Sequence, residues 1–256
     1  MATEVKLQRN AVVSGGAQGI GFGVVERLLA DGLGVVAIDT DEVKLASLAQ
    51  RLGALSDQLI CLAGDVSLAA TWDDAVHTCH DNFGPVSVLV NNAAISPKRD
   101  GVKLQGVDIS LAEWQRVLDV NLTSVFLGTQ AVVPDMAELG WGRIINMSSQ
   151  AGRTNTVVAG VHYGATKTAV IGLTRAFAGE LAARQITVNA IAPGKIETPM
   201  MQGAVPESNE TFLKGIPVGH FGQPSDIAAV VSFLAGFESA FITGATIDSN
   251  GGSFMG

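Results

Sequence analysis

The chain has 256 residues, 47% of them apolar and 16% charged, with a formal net charge of −8 and a sequence pI near 4.9. So acidic a composition lacks the basic surface that neutralises phosphates, which argues against a DNA or RNA partner. Residues 1–10 are polar and mixed in charge, with no apolar signal core, and no apolar run approaches the roughly 20 residues that cross a bilayer, so the expectation is a cytoplasmic protein that meets no membrane.

In chain order, short apolar runs bounded by turn residues alternate with longer stretches of helical spacing. Buried strands are predicted over residues 11–14, 34–38, 58–62, 86–90, 143–147, 187–191 and 246–248. Helices are predicted over 21–31, 41–52, 71–83, 111–139, 163–184 and 224–235. Parallel neighbours cannot be joined by hairpins, so this alternation implies right-handed crossovers, a parallel sheet and helices on both of its faces. The predicted architecture is α/β, a single domain over residues 1–256 with a Rossmann-like, doubly wound parallel sheet of about seven strands. One irregular stretch, 193–217, scatters Pro, Gly and Ser and reads as a mobile lid over the substrate, centred on about 198–216.

The first strand runs into Ser14-Gly15-Gly16-Ala17-Gln18-Gly19-Ile20-Gly21 and then an amphipathic helix. In that geometry backbone N–H groups and a helix N-terminus receive a pyrophosphate, and glycines let the backbone approach it. The spacing is GxxxGxG, not the more general GxGxxG. Asp39 ends the second strand, at the offset of roughly 20 residues where a carboxylate accepts hydrogen bonds from an adenosine ribose. Thr40, Asp41 and Glu42 follow, with no adjacent arginine or lysine to clamp a 2′-phosphate, so NAD is favoured over NADP. Asp39 also reads as an N-cap of the next helix, a role equally natural for Asp41. Gly64-Asp65-Val66 and Asn91-Asn92-Ala93-Ala94 fall at two further strand ends, where small residues permit a ligand to come close.

Ser148 and Ser149 follow the fifth strand, and Tyr163 and Lys167 lie four residues apart at the start of a helix, on one face. An ammonium beside a phenol stabilises the phenolate and lowers a pKa that is about 10 when unperturbed, toward the range useful for acid/base work. Tyr163 is the only tyrosine in the chain, so no other phenol competes for the role.

Through Gly15 to Gly21, Asp65, Asn91-Asn92-Ala93, Asn121, Ser149, Tyr163 with Lys167, and Pro193-Gly194, the sequence resembles the short-chain dehydrogenase/reductase (SDR) family nearly end to end. The resemblance implies a nicotinamide-dependent oxidoreductase acting on CH–OH groups, a homotetramer in which the two long helices form a four-helix interface, and a small-molecule alcohol/ketone pair as substrate. It implies a catalytic set of Asn121, Ser149, Tyr163 and Lys167. The counterpart of Tyr163 exchanges a proton with the substrate oxygen while hydride moves to or from the nicotinamide, Ser149 orients the carbonyl, Lys167 holds the nicotinamide ribose, and Asn121 positions a relay water. Cofactor contacts implied by the motifs and the resemblance together are Gly15, Gln18, Gly19, Ile20, Gly21, Asp39, Asp65, Val66, Asn92, Ala93, Tyr163, Lys167, Pro193, Gly194, Ile196 and Thr198. Substrate contacts are Ser149, Gln150 and Tyr163, with no metal. Gln150-Ala151-Gly152 favours Ser149 over Ser148 as the family's serine.

Two features depart from the family pattern. Ser14 stands where threonine is more typical, and the interval from Ser149 to Tyr163 is one residue longer than is common, which predicts a bulge within 157–162 that reshapes the substrate pocket. His77 and His80, with Asp73, Asp74 and Asp81, have no recognised metal spacing and read as a solvated acidic helix face. His162 reads either as a pocket residue or as packing, and Cys61 and Cys79 as reduced structural thiols. The leading function is NAD-dependent interconversion of a secondary alcohol and a ketone. Resemblance of Trp141 to Asn146 and of the ending Asn250 to Gly256 to acetoacetyl-CoA reductases makes 3-oxoacyl thioester reduction the alternative, and a non-catalytic NAD sensor a third. The pocket is expected to be more apolar than charged.

Overall fold

The computed structural model describes residues 8–155, 158–202 and 212–256. Seven strands form one parallel sheet: β1 (Asn10–Ser14), β2 (Gly34–Asp39), β3 (Leu59–Ala63), β4 (Val88–Asn91), β5 (Gly142–Met147), β6 (Ile186–Pro193) and β7 (Thr246–Ser249). Their spatial order is β3-β2-β1-β4-β5-β6-β7, so the winding reverses between β1 and β4 and opens a crevice above that junction, at the carboxyl ends of the strands.

The helices are α1 (Gly19–Ala30), α2 (Glu42–Leu52), α3 (Ala69–Asn82), α4 (Leu111–Leu118), α5 (Ser124–Leu139), α6 (Val161–Leu181), α7 (Pro199–Gln202) and α8 (Pro224–Leu234). Successive strand residues point to opposite faces. On β1, Ala11 and Val13 enter the core shared with Val25 and Leu28 of α1, Leu48 of α2 and Val231 of α8, while Val12 enters the one shared with Trp72 of α3, Met136 of α5 and Leu181 of α6. The central strands are buried throughout, whereas edge strands β3 and β7 are only partly covered.

Three differences from the predicted elements have local causes. The third strand starts one residue late because Gly53–Gln58 coils into a 3₁₀ turn. Helix α1 begins inside the glycine-rich segment, two residues before the predicted start. The long helix over 111–139 is interrupted by a π-helical turn, Asp119–Thr123, which carries Asn121. An 18-residue window of this stretch, of mean hydropathy 1.2, is long and apolar enough by composition alone to cross a membrane, as buried core helices often are. Its Val125, Val132 and Met136 are buried within the protein.

Candidate active site

One cleft of about 600 Å³ opens over the β1/β4 junction and gathers every site residue predicted from the sequence except Asn121. At its β1 end, Gly15 and Gly19 adopt φ +64° and +54°, backbone that a side chain disfavours. A Cβ added at Gly21 would overlap the Gly15 carbonyl oxygen, so this turn can be drawn only by glycine. Helix α1 starts at Gly19 without a side-chain cap from Gln18, leaving its first-turn N–H groups turned to the cleft, as an anion requires. Ser14, the atypical residue, serves as a tie. Its Oγ accepts from the N–H groups of Asn92 and Ala93 at 3.0 and 3.1 Å, and the Asn92 amide donates back to the carbonyls of Ser14 and Gly15 at 3.0 Å.

The two readings of Asp39 separate in the structure. Asp41 caps α2, accepting from Lys44 N–H at 3.0 Å. Asp39 accepts from the N–H groups of Ala17 and Asp41 at 3.1 and 3.2 Å and lines the cleft. The absence of a cation beside Asp39 holds along the sequence but not in space. Arg51 of α2 donates to the Ala17 carbonyl at 3.2 Å, although its guanidinium stacks 3.8 Å from the Phe22 ring centroid and does not line the cleft. Next to it, Asp65 accepts from Ser67 N–H and Oγ at 3.0 and 2.7 Å and pairs with Arg116 at 3.1 Å. Burial opposes its charge, but those hydrogen bonds and Arg116 outweigh burial and hold its pKa below the usual carboxylate value. Val66 completes this wall.

At the β5 end the two serines divide. Ser148 Oγ is buried and donates to the Lys167 carbonyl at 2.8 Å, a structural tie. Ser149 Oγ accepts from Ala151 N–H at 3.1 Å and shares a hydrogen bond with the Tyr163 side chain. Lys167 is buried and donates to the Met147 carbonyl at 2.7 Å, and burial lowers its pKa to about 8. Its Nζ lies 5.7 Å from the Tyr163 ring centroid. The expectation that Lys167 lowers the phenol pKa is therefore corrected: burial raises Tyr163 above its ordinary value, and only the Ser149 hydrogen bond pulls the other way. The ammonium is directed at a carbonyl and not at the phenol oxygen.

Asn121 is fully buried outside the cleft wall. Its amide accepts from Ile95 N–H at 2.8 Å and donates to the Ile95 carbonyl at 2.9 Å, with Thr166 Oγ1 at 3.3 Å, and Thr166 in turn donates to the Tyr163 carbonyl at 2.9 Å. The side chain thus braces the loop after β4 against the start of α6. Gln150 lines the cleft with its amide engaged by Ser253, which donates to Oε1 at 2.8 Å. On the β6 side Pro193, Gly194, Ile196 and Thr198 line the cleft, and the Thr198 methyl group lies close to where a side chain on Gly19 would stand.

The predicted bulge does not extend to its last residues: Gly160 caps α6, which starts at Val161, and residue 157 lies outside the described residues. His162 is buried in that first turn. Tyr163 N–H donates to its Nδ1 at 2.8 Å, so the ring proton sits on Nε2, 3.1 Å from Glu113 of α4. His162 is packing that fixes Tyr163, a role only the fold reveals. His80 bonds to Asp135 of α5 and His77 to the Asp73 carbonyl, so the two do not converge. Of the lid over 198–216, residues 203–211 lie outside the described residues. Pro199–Gln202 forms α7, and Met200, Met201 and Phe212 line the cleft. Sequence reasoning missed Arg116, Lys98 and Lys195 on the wall, which no local motif marks.

The parallel order, the glycine turn and the grouping of Ser149, Tyr163 and Lys167 beyond the end of β5 are the arrangement of a nicotinamide-dependent oxidoreductase fold. The chain belongs to the short-chain dehydrogenase/reductase family: residues 15–253 match a family model described as enoyl-(acyl carrier protein) reductase. It is 42% identical over 249 residues to a 3-alpha-(or 20-beta)-hydroxysteroid dehydrogenase of Mycobacterium tuberculosis, covering 96% of this chain and 89% of that one. It is 37% identical to an acetoacetyl-CoA reductase of Allochromatium vinosum, covering 97% and 100%. A crystal structure of a 3-oxoacyl-[acyl-carrier protein] reductase with bound NAD from Brucella melitensis superposes with a TM-score of 0.90 at 36% identity, covering 100% of this chain and 98% of that one.

Proposed function

We propose that this protein is an NAD-dependent oxidoreductase that interconverts a secondary alcohol and a ketone, with Tyr163 as general acid/base. The observation that carries the reading is the Tyr163 side chain hydrogen-bonded to Ser149 inside the cleft, one helical turn from Lys167. The dinucleotide fits the residues present: glycine backbone and the start of α1 for its phosphates, Asp39 for a ribose, and Lys167 for the nicotinamide ribose. When bound, the nicotinamide supplies the hydride acceptor or donor. The chain supplies alignment and the proton. Tyr163 Oη takes the proton from the alcohol or returns it to the carbonyl oxygen, Ser149 donates to the same oxygen, and the buried surroundings exclude water. Asn121 is a positioning residue in this scheme: it would position a relay water while its amide braces the loop after β4 through Ile95. Asp39 supports NAD over NADP because its carboxylate repels a 2′-phosphate, while Arg51 is stacked away on Phe22.

Reduction of 3-oxoacyl thioesters is the second reading, favoured by the relatives named for it. The Brucella melitensis enzyme carries NAD, so preference for NAD leaves this chemistry open. In our reading the enzyme works in the cytosol as a homotetramer built through α4, α5 and α6, whose exposed apolar residues include Leu111 at 79% and Val161 at 55%. Light scattering at micromolar concentration should return four times the chain mass of 26.4 kDa, and a monomer would refute the assembly. The functional test is nicotinamide absorbance with NAD and NADP across secondary alcohols, polyols and 3-hydroxyacyl thioesters. Turnover with NAD on one class is expected. Silence across the panel with measurable NAD binding would favour a sensor instead.

A further inference from the structure

The substrate end of the cleft carries two cations that no carboxylate among the described residues answers. Lys98 follows β4 and Lys195 follows β6, and both line the cleft. Because β4 and β6 flank β5 in the sheet, the two residues stand on either side of Ser149, which follows β5. Both are half-buried. Lys195 Nζ lies 4.5 Å from the Phe212 ring centroid, and among the described residues neither ammonium has a carboxylate partner. Burial and then the charge of Lys98 hold the Lys195 pKa below its ordinary value, so the two ammoniums feel one another. The carboxylates that line the cleft among the described residues, Asp39 at the end of β2 and Asp65 after β3, lie on the far side of the β1/β4 junction.

Two like charges converging in a partly desolvated place destabilise each other unless an anion joins them. In a chain of net charge −8, a cationic spot inside the cleft also draws anions preferentially to that end. We infer that Lys98 and Lys195 form an anion subsite, and that the alcohol or ketone turned over here carries a carboxylate or a phosphate that they hold while its reacting oxygen lies at Ser149 and Tyr163. The inference rests on the oxidoreductase reading and names its substrate class. The neighbouring Met200, Met201 and Phe212 supply an apolar wall for the carbon chain.

The test follows NADH consumption with 2-, 3- and 4-oxo acids, each as free acid and as methyl ester, and with a 3-oxoacyl-CoA beside its uncharged N-acetylcysteamine thioester. Wild type, Lys98→Gln, Lys195→Gln and the charge-retaining Lys98→Arg are compared. We expect at least one anionic compound to exceed its neutral counterpart by about tenfold or more in kcat/KM. Either glutamine variant should raise KM for that compound by about tenfold to a hundredfold, the range of a lost hydrogen bond to a charged group. KM for the neutral counterpart should not move, and Lys98→Arg should stay near wild type. A gap confined to the acid/ester pairs identifies a carboxylate, and one confined to the thioester pair identifies the phosphates of CoA. Equal use of charged and neutral compounds, with glutamine variants like wild type, overturns the subsite while leaving the oxidoreductase reading in place. If nothing turns over, calorimetric titration of the NADH complex with the same acids and with inorganic phosphate decides: binding lost in the glutamine variants supports the subsite, and binding that ignores them or is absent overturns it. Failure to bind NADH counts against the oxidoreductase reading itself.

Discussion

The two ends of the cleft are built on opposite principles. Over β1, β2 and β3 the walls are largely backbone, glycines at positive φ and the free N–H groups starting α1, with two carboxylates, Asp39 held by backbone donors and Asp65 by Ser67 and Arg116. Over β4, β5 and β6 the walls are side chains: Tyr163, Ser149, the buried Lys167, the lysine pair and an apolar strip. The shape of the first end is set by chain conformation at the glycine turn. The second can be retuned by exchanging side chains without disturbing the sheet, which is how one fold serves many substrates. Relatives named for a steroid, an acyl-CoA and an acyl carrier protein substrate agree with that division of labour.

The largest expected effect separates chemistry from binding across the two ends. Tyr163→Phe removes the transferable proton and should lower kcat by about 10³-fold or more, within the range of general acid–base catalysis, while NAD binding, measured by calorimetry, changes little. Near-normal turnover would refute the mechanism. Asp39→Ala with Thr40→Arg acts at the other end, exchanging repulsion for a phosphate clamp. The ratio of kcat/KM for NADP to that for NAD should rise by about tenfold to a hundredfold, and an unchanged ratio would mean that Asp39 serves only to hold the Ala17 turn.

The smallest effect tests how the second end stores strain. Lowering the Lys167 pKa from 10.5 to about 8 by burial corresponds to a cost of about 3 kcal/mol to the folded state. That cost is fully present below about pH 8 and is relieved as pH rises toward 10.5, because over that interval the folded state has already released the proton that the unfolded chain still holds. Lys167→Met removes the charge but leaves the Met147 carbonyl without its donor, which returns about 1–3 kcal/mol. Denaturant unfolding at pH 7 should therefore find the variant at least as stable as wild type though inactive, with wild type gaining relative to it at pH 10. A variant clearly weaker at pH 7 would show that Lys167 is a structural strut.

The end made of backbone was the more legible one. The glycine spacing, Asp39 and the small residues at Asn92 and Ala93 each report a local conformational need, and local needs are written in adjacent residues. At the other end the motif residues Ser149, Tyr163 and Lys167 could be picked out, but what they touch could not. That the Lys167 ammonium turns to Met147 and away from the phenol, that His162 fixes the Tyr163 backbone, and that Asn121 faces Ile95 all depend on partners 20 or more residues away or on a buried ring's orientation. Arg51 makes the same point. Twelve residues after Asp39 in the chain, it returns along α2 to the glycine turn.

Sequence by itself determined the alternation of strands and helices, and with it a doubly wound sheet, since periodicity and connection rules leave few other arrangements. It also determined the glycine turn, because only residues without a Cβ can draw it. Tertiary structure alone decided the electrostatics: which carboxylate caps a helix and which faces the cleft, what each of the two serines bonds to, and that Lys98 and Lys195, 97 positions apart, line one cleft after the strands that flank β5. The physical reason is that charge interactions depend on distance and burial in space, and the sheet order that sets both places β4, β5 and β6 side by side although long crossovers separate them in the chain.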